Sequence, residues 1–174
     1  MDNGSDNLDQ LRLGETGGPL RLDRPSECAR ASALMAVQAR RRLRIFTPDL
    51  QAAIYDQQAF LDAVSGLAVA SPRSRVQILV KDSGAAVRHG HRLIELARRL
   101  SSAIEVRQVH PDHQDHAQSF LVADDTGVIK SDPTDPREFV ADFQTPLEAR
   151  RLADFFDEVW ERSTPDPELL RLYL

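Results

Sequence analysis

The sequence predicts an α/β fold: a mixed β-sheet flanked by helices, parallel in its first half. Two observations lead there. From residue 26 to residue 109, helically spaced apolar stripes alternate with short β-branched runs, the pattern of successive strand-helix-strand crossovers. Beyond residue 119, short strands follow one another directly and the chain then enters a long amphipathic helix, as expected for a hairpin region closed by a covering helix.

Residues 1–22 are rich in Gly, Asn and Asp and lack sustained apolar periodicity. They read as a flexible tail, with the α/β domain spanning 23–174. A first helix starts at Ser26, which has capping chemistry; Glu27 suits its positive end, and Ala31, Leu34, Met35 and Gln38 form one stripe. It is expected to close in Arg40, Arg41 and Arg42, cations suited to a helix C-terminus. A strand follows over 43–47, stopped by Pro48.

Asp56 is positioned to cap a second helix with the apolar set Phe60, Leu61, Val64, Leu67 and Ala68. Val76, Ile78 and Val80 alternate in a strand over 75–81. Ser83 then caps a third helix carrying Val87, Leu93, Ile94, Ala97 and Leu100, followed by a strand over 104–109. Residues 120–123 and 128–130 form a hairpin through Asp125, Thr126 and Gly127, and 139–143 is a further strand. Thr145-Pro146-Leu147-Glu148 combines a capping box with proline at the first helical position. The helix it opens buries Leu152, Phe155, Phe156, Val159 and Trp160 and ends before Pro165 and Pro167.

Bulk properties narrow the function classes. The chain has 174 residues, enough for one domain with a real core, and is 41% hydrophobic and 28% charged, as soluble proteins are. With 22 Lys and Arg against 27 Asp and Glu, the net charge of −5 argues against bulk attraction to nucleic acid or anionic lipid. No apolar run approaches membrane-spanning length, and the acidic, Gly-rich start does not resemble a signal peptide. A single cysteine, Cys28, excludes an internal disulfide and fits a reducing, cytoplasmic setting. No cofactor-binding signature is present.

Chemistry concentrates in HPDHQDHAQSFLVADD, residues 110–125. His110, His113 and His116 are spaced by three, and the other histidines, His89 and His91, lie in the third helix. If the strands over 75–81 and 104–109 are parallel, that helix start and this loop meet at the carboxyl edge of the sheet, where ligands bind open α/β sheets. One use of His110, His113 and His116, interleaved with Asp112 and Asp115, is a zinc or nickel site. The spacing matches no standard zinc framework and lacks a cysteine partner, so a solvated loop is preferred.

A histidine also attacks phosphorus in covalent phosphoryl transfer and then needs cations for the charge on the transferring oxygens. The order helix, IFTPDL, helix, VQILVKD, helix, IEVRQV and then a His-bearing strand-turn-strand resembles half of the phospholipase D superfamily. That family carries His-x-Lys-x4-Asp followed by Gly-Ser-x-Asn. The resemblance places His116 at the nucleophile position, Gln118 at the lysine, Asp124 one residue beyond the strict aspartate position (held by Ala123), and Ser131 at the later serine. Lysine loss removes a fixed cation, and a one-residue shift on a strand sends a side chain to the opposite face. Family members use two such motifs, and this chain has one altered copy. The resemblance therefore implies a non-catalytic phospholipase D-like module that binds a phosphate, another ligand or a protein. The alternatives are a homodimeric phosphodiesterase or nuclease with His116 as nucleophile, and a protein binding a divalent metal through His110, His113 and His116.

Overall fold

The computed structural model describes residues 5–170. In chain order the elements are α1 (Ser5–Leu8), β1 (Leu20–Leu22), α2 (Pro25–Gln38), β2 (Arg42–Thr47), α3 (Ala52–Tyr55), α4 (Gln58–Ala70), β3 (Arg75–Val80), α5 (Gly84–Arg88), α6 (Arg92–Arg99) and β4 (Ile104–Gln108). A short 3-10 turn, Pro111–His113, precedes β5 (Phe120–Ala123), β6 (Gly127–Ser131), β7 (Phe139–Asp142), α7 (Pro146–Arg162), β8 (Thr164–Pro165) and α8 (Pro167–Leu170).

The strands form one sheet in the order β1-β7-β6-β5-β2-β3-β4-β8. β2, β3 and β4 run parallel, and β5, β6 and β7 extend the sheet antiparallel from β2. The mixed sheet, parallel in its first half, is thus as the alternation of helices and strands required. Residues of β2 alternate between two cores. Leu43 and Ile45 face α2, α4 and α6, whereas Phe46 faces α7 together with Leu79, Phe120, Val122 and Val128. That two-sided burial explains why β2 and β5 read as nearly continuous apolar runs. Both outer strands are short, and Pro165 sits in one of them.

Arg44 is the charged exception inside the sheet. It is 4% exposed on the α7 face. Its guanidinium donates to Asp157 of α7 at 2.9 and 3.1 Å and to Asp125 of the β5–β6 turn. Burying a guanidinium is tolerated only with such pairing.

Several local expectations are revised. The described part of the 1–22 segment is packed against the domain, whereas a flexible tail was expected; residues 1–4 lie outside the described residues. Leu8 and Leu22 are buried, Leu11 and Leu13 pack on the core, and β1 pairs with β7 from Leu20↔Ala141 to Leu22↔Phe139. Low composition-wide hydrophobicity concealed five spaced leucines, Leu8, Leu11, Leu13, Leu20 and Leu22. The first helix starts at Pro25, one residue before the expected Ser26 cap, with the Glu27 carboxylate accepting the Asp23 and Arg24 amides. It ends at Gln38, so Arg40 to Arg42 are not in its last turn. The third helix is split into α5 and α6 by Gly90, whose φ of +67° suits glycine. Asp56 and Ser83 cap no helix through their side chains. At α7 the capping box is not made, because Glu148 turns to Lys130 and Arg151.

The hairpin turn also differs. Asp124 and Asp125 hold its two central positions with φ of +51° and +53°, and Thr126 donates to the Ala123 carbonyl at 3.0 Å. This is type I′ geometry, which aspartate tolerates better than most residues. Gly127 is already in β6, where an added Cβ would lie 2.4 Å from Leu13 Cδ1 and 3.1 Å from Met35 Sδ.

Gly127→Ala is therefore expected to destabilise the protein by about 1–2 kcal/mol through overpacking, measured by urea unfolding. In a Leu13→Ala background the same change should cost less, because the nearest obstructing methyl is gone. Purely additive effects would show that the N-terminal segment does not pack over β6.

Candidate functional site

The C-terminal ends of β2, β3 and β4 and the start of β5 share one edge of the sheet, and the histidine loop lies along it. Its path is set by turns. His113 N–H donates to the His110 carbonyl at 2.9 Å and His116 N–H to the His113 carbonyl at 3.2 Å. The spacing of three histidines is thus the period of two consecutive turns. The C-terminal end of α7 fixes the start of the loop. Ser163 Oγ donates to the Val159 carbonyl at 2.7 Å and accepts the His110 amide at 3.1 Å, while Arg162 reaches Asp112 at 2.7 Å.

His116 projects onto the α7 face among aromatic rings. Its imidazole lies 4.4 Å from Phe155 (centroid to centroid, 32° between planes), 5.1 Å from Phe46 and 6.4 Å from Phe120. Nε2 of His116 is buried and has no hydrogen-bond partner among the described residues, and the same holds for Nε2 of His113. Lys81, the residue after β3, donates from Nζ to the His116 carbonyl oxygen. Burial holds the His116 pKa below its usual 6.5, and the charges of Lys81, His113 and Arg151 lower it further, against an opposing pull from Asp115. Burial also lowers the pKa of Lys81, again opposed by Asp115.

The other motif positions divide between two ends of the sheet. Gln118 Nε2 donates to the Ser131 carbonyl at 2.9 Å, and Ser131 Oγ accepts the Ser119 amide at 2.9 Å. Gln118, Ser119 and Ser131 are therefore joined at the same end of β5 as His116, with the Gln118 amide and the Ser131 hydroxyl engaged in backbone bonds. Asp124 is at the opposite end of β5. Its carboxylate accepts the amides of Arg40, Arg41 and Arg42 at 2.7, 2.8 and 2.9 Å, and its own amide donates to the Arg42 carbonyl at 3.0 Å. β5 pairs without interruption on both sides, so no bulge returns Asp124 to the His116 face.

The histidines do not converge. His91 caps α6, with Nδ1 accepting the Leu93 amide at 3.2 Å and Nε2 lying 3.0 Å from the Leu50 carbonyl, the donor tautomer this pairing requires. His89 is exposed. His110 Nδ1 accepts the Asp112 amide at 3.2 Å, and its ring is 6.5 Å from that of His113. Among the described residues no group of three or more His, Cys, Asp or Glu side chains is arranged to hold a metal ion. Cys28 is buried, and its thiol pKa is pushed up to about 12 by burial, so it is an unreactive core residue.

Two cationic residues at this face, Lys81 and Arg151, had no motif to announce them. Lys81 is placed by the alternation of β3: Leu79 faces α7, and the residue two positions on does too. Arg151 and Lys130 both grip Glu148, at 2.7 and 2.9 Å, which depresses the Glu148 pKa to about 2, with the Arg151 hydrogen bond the largest cause. No helix among the described residues is long and apolar enough to cross a membrane.

This architecture is a phospholipase D-like fold. Nuc from Salmonella typhimurium, a phospholipase D family member, superposes with a TM-score of 0.59 at 12% identity, over 86% of this chain and 99% of that one. Phosphatidylserine synthase from Haemophilus influenzae gives 0.59 at 13% identity, over 90% of this chain but 41% of that one. TrmBL2, an archaeal chromatin protein, gives 0.61 at 12% identity, over 85% and 54% respectively. The chain thus spans about half or less of the latter two proteins. It belongs to the family described as a domain of unknown function, DUF7931, which matches residues 24–172. No curated protein matches it.

Two titrations report on this face. His116 has a lowered folded-state pKa, so below pH 6.5 the unfolded chain binds more protons and stability falls with falling pH through the folded value. His116→Phe, which suits the same aromatic surroundings, should remove that part of the acid sensitivity. Glu148 has the same sign in a more acidic window: its contribution is complete above about pH 4.5 and is lost as pH falls toward 2. Glu148→Gln should flatten the stability profile between those limits. Unfolding midpoints measured from pH 2 to 8 test both, and unchanged profiles would contradict the described packing.

Proposed function

We propose that this protein is a phospholipase D-like domain that acts by binding and has lost the phosphodiesterase chemistry. The observation that carries this reading is the state of His116. A nucleophilic imidazole needs its attacking nitrogen open to phosphorus, but Nε2 of His116 is buried, in a ring that packs 4.4 Å from Phe155 within an aromatic cluster. The remaining motif positions support the same conclusion. Gln118 offers a neutral amide already used on a backbone carbonyl, and Asp124 serves a turn at the far end of β5. Loss of one fixed donor to a developing anion typically costs about 10²–10³ in rate, and here several supports are missing together. TrmBL2, described by its mode of DNA binding, supports the idea that this fold also serves proteins known for binding.

One observation favours a second reading. The lowered pKa of His116 favours the neutral imidazole that a nucleophile requires, and Lys81 places an ammonium group at its backbone carbonyl. A homodimeric phosphodiesterase would need Phe155 to move and a second copy to complete the site.

Hydrolysis of bis(p-nitrophenyl) phosphate distinguishes the two. The binding reading expects the intact protein and His116→Ala to give the same background rate. A rate that depends on His116 and rises with protein concentration as dimers form would overturn it in favour of the enzyme.

A further inference from the structure

At the opposite edge of the sheet from His116, a cavity of about 580 Å³ opens between the α2–β2 loop and the α4–β3 turn. Arg40, Arg41, Arg42 and Arg73 line it, with Ser74 and two carboxylates, Asp124 and Asp125. We propose that this cavity is a binding site for a compact polyanion carrying two or more phosphate groups, recognised by its charge. The inference stands apart from the reading of His116, since it uses none of the residues of that edge.

Charge accounting comes first. Both carboxylates in the cavity are already engaged. Asp124 is occupied by the three backbone amides of the arginine loop, and Asp125 pairs with buried Arg44. None of the guanidinium groups of Arg40, Arg41, Arg42 and Arg73 makes an ion pair or hydrogen bond among the described residues. Neutral amides leave Asp124 its negative charge, so four guanidinium groups face one carboxylate charge that is not ion-paired, and the excess of like charge is repulsive; this occurs in a chain with 27 acidic residues and a net charge of −5. An anionic ligand would relieve that repulsion.

The site is also held in place. Asp124 locks the backbone from Arg40 to Arg42 onto the β5–β6 turn. On the other wall, Ser74 N–H donates to the Ser71 carbonyl at 3.1 Å around Pro72, and the Arg75 guanidinium clamps the carbonyls of Pro72 and Ser74 at 2.7 and 2.8 Å. Ser74 is 1% exposed, and its hydroxyl has no partner among the described residues, an uncommon state for a buried hydroxyl.

Ligand class follows from the lining. The guanidinium fork matches phosphate oxygens in bidentate geometry, and the volume is that of small-molecule sites. No aromatic residue lines the cavity, so a nucleobase would find no stacking surface of the kind single-stranded nucleic acid uses.

The test uses the full chain and inorganic tripolyphosphate at low ionic strength, followed by calorimetric titration and thermal shift. Saturable binding with a raised melting temperature is expected. Arg41→Ala combined with Arg73→Ala should weaken it by about tenfold or more, as loss of charge-assisted hydrogen bonds does. Removing two cations elsewhere, with Arg21→Ala and Arg137→Ala, should leave it within about twofold, the effect of distant screened charges. A second variant separates positioning from bulk charge. Asp124→Asn makes the cavity more positive but loosens the arginine loop, so a built site predicts weaker binding and simple charge attraction predicts tighter. The proposal is overturned by the absence of saturable tripolyphosphate binding, by equal loss in the two double variants, or by arginine-dependent binding of duplex DNA without tripolyphosphate binding.

Discussion

The junction between the parallel and antiparallel halves of the sheet depends on one carboxylate. Asp124 takes three consecutive amides of the loop entering β2 and returns its own amide to Arg42. β2 is the strand on which both halves hinge, parallel to β3 and antiparallel to β5. A one-residue slip there would exchange Phe46 and Ile45 between the two cores and carry buried Arg44 into the wrong one. Hydrogen bonds to an ionised acceptor are among the stronger ones available, and three converge at the point where register is decided. An acid that a motif search places beside a catalytic histidine thus serves the opposite end of its strand.

The α7 face gathers residue types associated with chemistry and engages each of them in other contacts. His116, Lys81 and Arg151 lie on the same side of the sheet. Each is committed nonetheless: the imidazole to aromatic packing, the lysine to a backbone carbonyl, the arginine to Glu148. These commitments are mutually supporting, because the charges of Lys81 and Arg151 add to burial in disfavouring the protonated form of His116.

Much of the architecture was legible because periodicity reports burial. The stripe on α7 and the alternation of β3 led directly to the elements observed. Signals with more than one physical use misled. Thr145 and Glu148 have the composition of a capping box, but a lysine from β6 and an arginine one turn along compete for the glutamate, and those partners are not local in sequence. Arg40 to Arg42 suit a helix terminus, yet α2 stops at Gln38 and they line a loop. The leucines of the N-terminal segment were hidden by the Gly and Asp between them. At the candidate site, the edge of the sheet was inferable from topology, whereas Lys81 carried no motif and the His116 ring packs on Phe155, 39 positions away in the chain.

The outer strands limit how copies of this chain could associate. β1 contributes three residues and β8 two, one of them a proline that has no amide to donate. Growth of the sheet from one molecule into the next is thereby discouraged at both ends. A contact between copies made through helical surfaces or the loops along the carboxyl edge would leave the strand pairing within each sheet unchanged.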